Sequence, residues 1–108
     1  MDDRDFERQA EAALASLYGR LAAAAEEYEF DVDFNAGALT VEFEEPREKF
    51  VVSPNGPVRQ IWISALVKSF KLDWSEPRGA FVLAAAGQSL DELLASLMRT
   101  RLGPGFAF

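Results

Sequence analysis

Apolar residues recur at Phe6, Ala10, Ala13, Leu14, Leu17, Leu21, Ala24 and Tyr28, at spacings of three and four. That rhythm draws one stripe along a helix of about seven turns, which Asp2 or Asp3 can cap. At Glu29 the period drops to two. Phe30, Val32 and Phe34 alternate with Glu29, Asp31 and Asp33, and after Asn35-Ala36-Gly37-Ala38 the alternation resumes with Leu39, Val41 and Phe43. This predicts a hairpin with one buried face. A two-residue loop at Ala36-Gly37 would set Asp31 opposite Glu42 and Asp33 opposite Thr40. The acidic side chains of both strands then share the other face.

Further strands are predicted at about Lys49–Ser53, around Gln60–Ser64, at Ser69–Trp74 and at Ala80–Ala85. Turn signals at Pro46-Arg47, at Ser53-Pro54-Asn55-Gly56-Pro57 and at Ser75–Gly79 separate them, with Ala65–Lys68 as a connection. Ser89-Leu90-Asp91-Glu92 is a capping box, and Leu90, Leu93, Leu94, Leu97 and Met98 continue it as a second amphipathic helix. Gly103-Pro104-Gly105 ends that helix. Phe106 and Phe108 beyond it are expected to pack between the helices, since exposing them would be costly. The order is helix, several antiparallel strands, helix. An α+β, two-layer α/β sandwich satisfies every stripe, with the N- and C-terminal helices on one face of an antiparallel sheet of about five to seven strands. With no repeat or linker in sight, residues 1–108 are expected to form a single domain.

One side chain breaks the pattern. In Gln60-Ile61-Trp62-Ile63-Ser64 the two isoleucines take one face, which leaves Trp62 between Gln60 and Ser64 on the other. Either a further layer covers the indole or it anchors a partner. Both helices are needed on the isoleucine face, so Trp62 is expected to stand exposed.

Composition narrows the chemistry. The chain has no Cys and no His. Thiol chemistry, disulfides, His or Cys nucleophiles and ordinary zinc sites are therefore excluded, and any metal must rest on carboxylates. The net charge is −7, unevenly placed: residues 1–48 hold 14 acidic and 4 basic residues, and residues 49–108 hold 4 acidic and 7 basic. No basic track for nucleic acid exists in that balance. Neither a signal peptide nor a bilayer-length apolar run is visible, and a cytoplasmic protein is expected.

Asp3, Glu7 and Glu11 succeed one another at i, i+4 on the first helix, and Glu26, Glu27, Glu29, Asp31 and Asp33 carry the charge into the first strand. Such a cluster repels itself, and a cation would relieve the repulsion. Weak, multi-site binding of hard cations is one reading, with Asp3, Glu7, Glu11, Glu27, Glu29, Asp31 and Asp33 as candidate ligands. A solvated acidic face, with Arg4–Glu7 and Arg8–Glu11 as local pairs, is the other.

Asn35-Ala36-Gly37-Ala38-Leu39-Thr40-Val41 resembles the hairpin of the frataxin family. Pro57-Val58-Arg59-Gln60-Ile61-Trp62-Ile63-Ser64 is similar to that family's Gln/Trp strand, Leu72-Asp73-Trp74 to the segment after it, and Ser89–Leu94 to the start of its last helix. The motifs keep the family's order over nearly the whole chain, in the manner of bacterial frataxins. The resemblance implies weak iron binding, ferrous or ferric, through an acidic ridge on the first helix and strand edge. It implies contact with a cysteine desulfurase and an iron–sulfur scaffold protein, as iron donor or regulator, by a monomer, with iron-dependent oligomers left open. It assigns partner binding to Gln60 and Trp62, with Asn55 as a lesser candidate. The chain departs from the family at Ala22-Ala23-Ala24-Ala25, which interrupts the ridge. An independent enzyme is disfavoured, because the acids lie on outer surfaces rather than in a cleft; ferroxidase activity would be weak at most. An adaptor that uses the Trp62 face without a metal is the competing class.

Overall fold

Asp2 caps α1, Asp3–Ala24, its carboxylate accepting the Asp5 backbone N–H at 2.8 Å. The computed structural model describes residues 1–108. After α1 come β1 (Asp31–Asn35), β2 (Ala38–Phe43), β3 (Glu48–Asn55), β4 (Gln60–Ala65), β5 (Lys68–Ser75), β6 (Ala80–Leu83) and β7 (Gln88–Ser89), then α2 (Leu90–Leu102). The strands form one sheet in sequence order with every neighbour antiparallel. Short connections explain that meander, since an antiparallel neighbour needs only a hairpin.

The apolar faces meet as their periods require. Leu39, Val52, Ile63 and Phe70 lie side by side across four strands, and Val41 stands opposite Phe50. Phe6, Leu14, Leu17 and Leu21 of α1 and Leu93, Leu94, Leu97 and Met98 of α2 join the same core, which buries no polar or charged residue. Both helices therefore cover one face of the sheet and leave the other bare. No helix is long and apolar enough to cross a membrane.

Four details differ from the sequence reading. α1 stops at Ala24, and Tyr28 packs against the core from the connection that follows. β3 runs on through Pro54 to Asn55, where a loop is predicted. Pro54 is tolerated there because Val52 is the last residue of β3 that β2 pairs, so no ladder bond is lost on that side. Ala65–Lys68 is no loose connection but a tight hairpin, with Ala65 paired to Lys68 and Leu66 and Val67 at φ +54° and +56°. Such a turn matches the strand twist but asks non-glycine residues for left-handed backbone, so Leu-Val carries no turn signal. β7 is two residues long, too short for any periodicity to show.

The capping box forms as predicted. Ser89 Oγ accepts the Glu92 N–H at 3.3 Å, and Glu92 accepts the Ser89 N–H at 2.8 Å. The Ser89 N–H and then Arg78, 3.0 Å away, hold the Glu92 carboxyl below the usual glutamate range. A carboxylate lowered in the folded state stabilises it above its unfolded value, here 4.5, and that contribution is lost as pH falls through the folded value. Thermal melts should therefore fall below about pH 4.5, and more steeply for the native chain than for Glu92→Gln. Ser89→Ala should cost about 1 kcal/mol in urea unfolding at neutral pH.

The tail also lies where its phenylalanines demand. Phe106 is buried against Tyr28, with ring centroids 4.8 Å apart, and against Phe30 at 6.2 Å. Arg20 of α1 lies over the Phe108 ring, donates to its carbonyl at 2.9 Å and pairs with Asp91 of α2. Phe108 is thus tied to α1 through Arg20, and Phe106 to the connection that follows α1.

Candidate functional site

The bare face of the sheet is built from the alternate residues that the core leaves outside. On β4 these are Gln60, Trp62 and Ser64. Trp62 is 37% exposed, one of few large apolar side chains outside the core. Ser53 of β3 stands opposite it on one side and Lys71 of β5 on the other. The indole is held in place: its Nε1 donates to Gln60 at 2.9 Å, Gln60 donates to Asp73 at 3.0 Å, and the Lys71 ammonium lies 4.8 Å from the ring centre. Val51, Ser53, Ser64 and Ser69 line a depression of ≈ 410 Å³ beside it. A fixed aromatic among small side chains is the geometry of an interface anchor, with little side-chain entropy left to lose.

Asn55 ends β3 half-buried and pairs with Gln60, so it extends this face from a strand rather than from a loop. Lys71 and Asp73 belong to the arrangement but escape the sequence reading. The tight Ala65–Lys68 hairpin sets their register, and a loose connection there leaves the partner of Trp62 undefined.

The acidic candidates are distributed along a margin rather than gathered. Asp3 is taken by Arg59, 2.8 Å from its carboxylate. Arg8 pairs with Asp5 at 2.7 Å instead of Glu11, and Arg4 makes no pair with Glu7. The reason is local: in the first turn Asp5 is an i, i+3 neighbour of Arg8, as near as Glu11. Glu7 and Glu11 remain unpaired beside a groove floored by Phe6, Ala10, Leu14 and Phe34. Glu27 and Glu29 are exposed in the connection between α1 and β1. Asp31 and Asp33 are exposed on the bare face, with Asp31 opposite Glu42 as the two-residue loop requires. No three carboxylates come together as a metal-holding group. Any cation would be shared between pairs or held through water, as weak binding implies.

Known proteins agree with this architecture. A family model described as a frataxin-like domain matches residues 1–104. The chain is similar to the iron-sulfur cluster assembly protein CyaY of Azotobacter vinelandii, 35% identical over 85 residues, which cover 77% of this chain and 76% of that one. It is also similar to the CyaY protein of Dechloromonas aromatica, 36% identical over 77 residues that cover 68% and 69% of the two chains. Among solved structures it resembles a frataxin from Psychromonas ingrahamii, with TM-score 0.73, 24% identity and coverage of 94% of this chain and 91% of that one. At that identity the likeness is one of fold.

Proposed function

This chain belongs to the frataxin family, and on that premise we propose that it is a non-enzymatic protein of cytoplasmic iron–sulfur cluster assembly. The relatives that share most of its length carry that role in their names. In this reading it docks on a cysteine desulfurase and its scaffold protein through Trp62, Gln60 and Asn55, and it acts as iron donor or regulator. The observation that carries the docking part is Trp62 itself, exposed on the bare face yet held by Gln60 and Lys71. The acidic margin supplies the long-range attraction, which accelerates encounter with a basic surface.

Reconstituted cluster assembly, with and without the protein, tests the role. The native chain should change the rate, and the Asp31→Asn/Asp33→Asn double variant should do so less. An unchanged rate with native protein would sink the reading. Binding to the desulfurase should weaken steadily as salt is raised from low ionic strength to physiological, because screening shortens the reach of exposed charges to about 8 Å. Salt-independent binding would rule out steering.

Iron enters this reading as weakly held cargo on Glu7, Glu11, Glu27, Glu29, Asp31 and Asp33. Asp3 ranks below them because Arg59 already neutralises it. A second reading is an adaptor that works without a metal, resting on the same exposed Trp62 face. Titration with ferrous or ferric iron, followed by amide NMR, separates the two. Broadening confined to the Glu7–Glu11 and Glu27–Asp33 amides supports cargo, and unchanged lines there leave the adaptor.

A further inference from the structure

β1 is the outermost strand, so one of its sides has no neighbour in the sheet. The opposite margin differs, since β7 is only two residues long and runs straight into α2. The Ala36–Gly37 loop has both φ values positive, which makes Asn35–Ala38 the hydrogen-bonded pair that closes the hairpin. Alternation along the ladder then turns the N–H and C=O of Asp31, Asp33 and Asn35 toward β2, and those of Val32 and Phe34 outward. No bond outside the ladder, from backbone or side chain, engages Val32 or Phe34. Two residues about 7 Å apart thus each offer a donor and an acceptor in step with an added strand.

The charge around this edge says what such a strand would be. Asp31 and Asp33 flank it on the bare face, Glu29 precedes it, and Glu7 and Glu11 border its Phe34 end from α1. None of these five carboxylates has a cation within salt-bridge distance. An open edge invites pairing with a second copy, and like charges set opposite one another oppose that pairing. The same charges favour a strand with Lys or Arg at alternate positions.

We propose that the free edge of β1 accepts an extended basic segment of a partner protein as an added antiparallel strand. The Val32 and Phe34 backbone groups pair with the segment's backbone, and Asp31 and Asp33 pair with its alternate basic side chains. The inference shares Asp31 and Asp33 with the cation reading but stands on the hydrogen-bonding groups of the edge, so failure of iron binding leaves it intact.

The probe is a capped seven-residue peptide of alternating arginine and valine, with two twins N-methylated on one or the other alternate set of amides. Strand addition presents only one set to β1. One twin should therefore lose about tenfold in affinity and the other should hold, as expected for one or two lost hydrogen bonds. Amide exchange at Val32 and Phe34 should slow when the unmodified peptide binds. Val32→Pro removes an outward N–H without touching the ladder to β2, and should lose the peptide while circular dichroism shows the fold retained. Equal affinity for all three peptides would reduce the interaction to charge alone and overturn the proposal, as would no binding at low salt. Concentration-dependent slowing of exchange at Val32 and Phe34 without peptide would also overturn it, by assigning the edge to a second copy.

Discussion

Replacing Trp62 with alanine is expected to weaken binding to the proposed desulfurase and scaffold partners about 30-fold, or about 2 kcal/mol, while the domain stays folded. The two halves of that result come from different surroundings. For binding, the indole is the one aromatic group on the bare face, fixed by Gln60 and Lys71 before a partner arrives. For stability, the side chain contributes a hydrogen bond and a cation–π contact at a partly exposed site, together about 1–2 kcal/mol. The core residues Ile61 and Ile63 on the opposite face of the same strand are untouched. Isothermal titration and thermal melts on one preparation check both halves. Gln60→Ala frees the indole N–H but keeps the ring, so its binding loss should be smaller. If Trp62→Ala unfolds the domain, or binds as tightly as the native chain, the anchor role is wrong.

Much of this fold can be read from the chain because its signals are periodic and local. The α1 stripe, the Ala36–Gly37 hairpin with its Asp31–Glu42 register and the Ser89–Glu92 cap each depend on residues a few positions apart. The Leu66–Val67 turn resists reading for the opposite reason. Neither residue prefers positive φ, and the flanking strands impose the conformation on them. Pro54 misleads in the same way, since its place in β3 is tolerated only because β2 has already ended.

The site divides along the same line. Period two alone puts Trp62 on the polar face, and counting helices puts that face in solvent. What positions the indole involves Lys71 and Asp73, reached across a strand pair whose register hangs on the unreadable turn. The Arg59–Asp3 bridge joins residues 56 positions apart, and no local rule foresees it. It removes one acid from the α1 row and leaves Glu7 and Glu11 as the exposed pair.

The largest stability loss is expected from Phe106, two places before the last described position. Phe106→Ala should cost about 3–5 kcal/mol, a large share of the 5–15 kcal/mol typical of a domain. Phe106 is 2% exposed and packs on Tyr28 and Phe30. Removing its ring leaves a hole against the α1–β1 connection, which holds both Tyr28 and Phe30 and cannot collapse without moving the approach to β1. Phe108 provides the comparison. It is half-buried and faces Arg20, so Phe108→Ala should cost about 1 kcal/mol, of the order of a single cation–π contact. Urea unfolding of both variants tests the difference, and equal losses would mean that the tail acts as one loose apolar cover. Hydrogen exchange supplies the functional readout. In Phe106→Ala the β2-bonded amides of Asp31, Asp33 and Asn35 should lose protection before those of β3 and β4, because the lost contact supports the segment that leads into the strand carrying Asp31 and Asp33. An acidic margin that depends on a buried phenylalanine would then weaken in cation and partner binding together, while Trp62 keeps its place on the opposite side of β3.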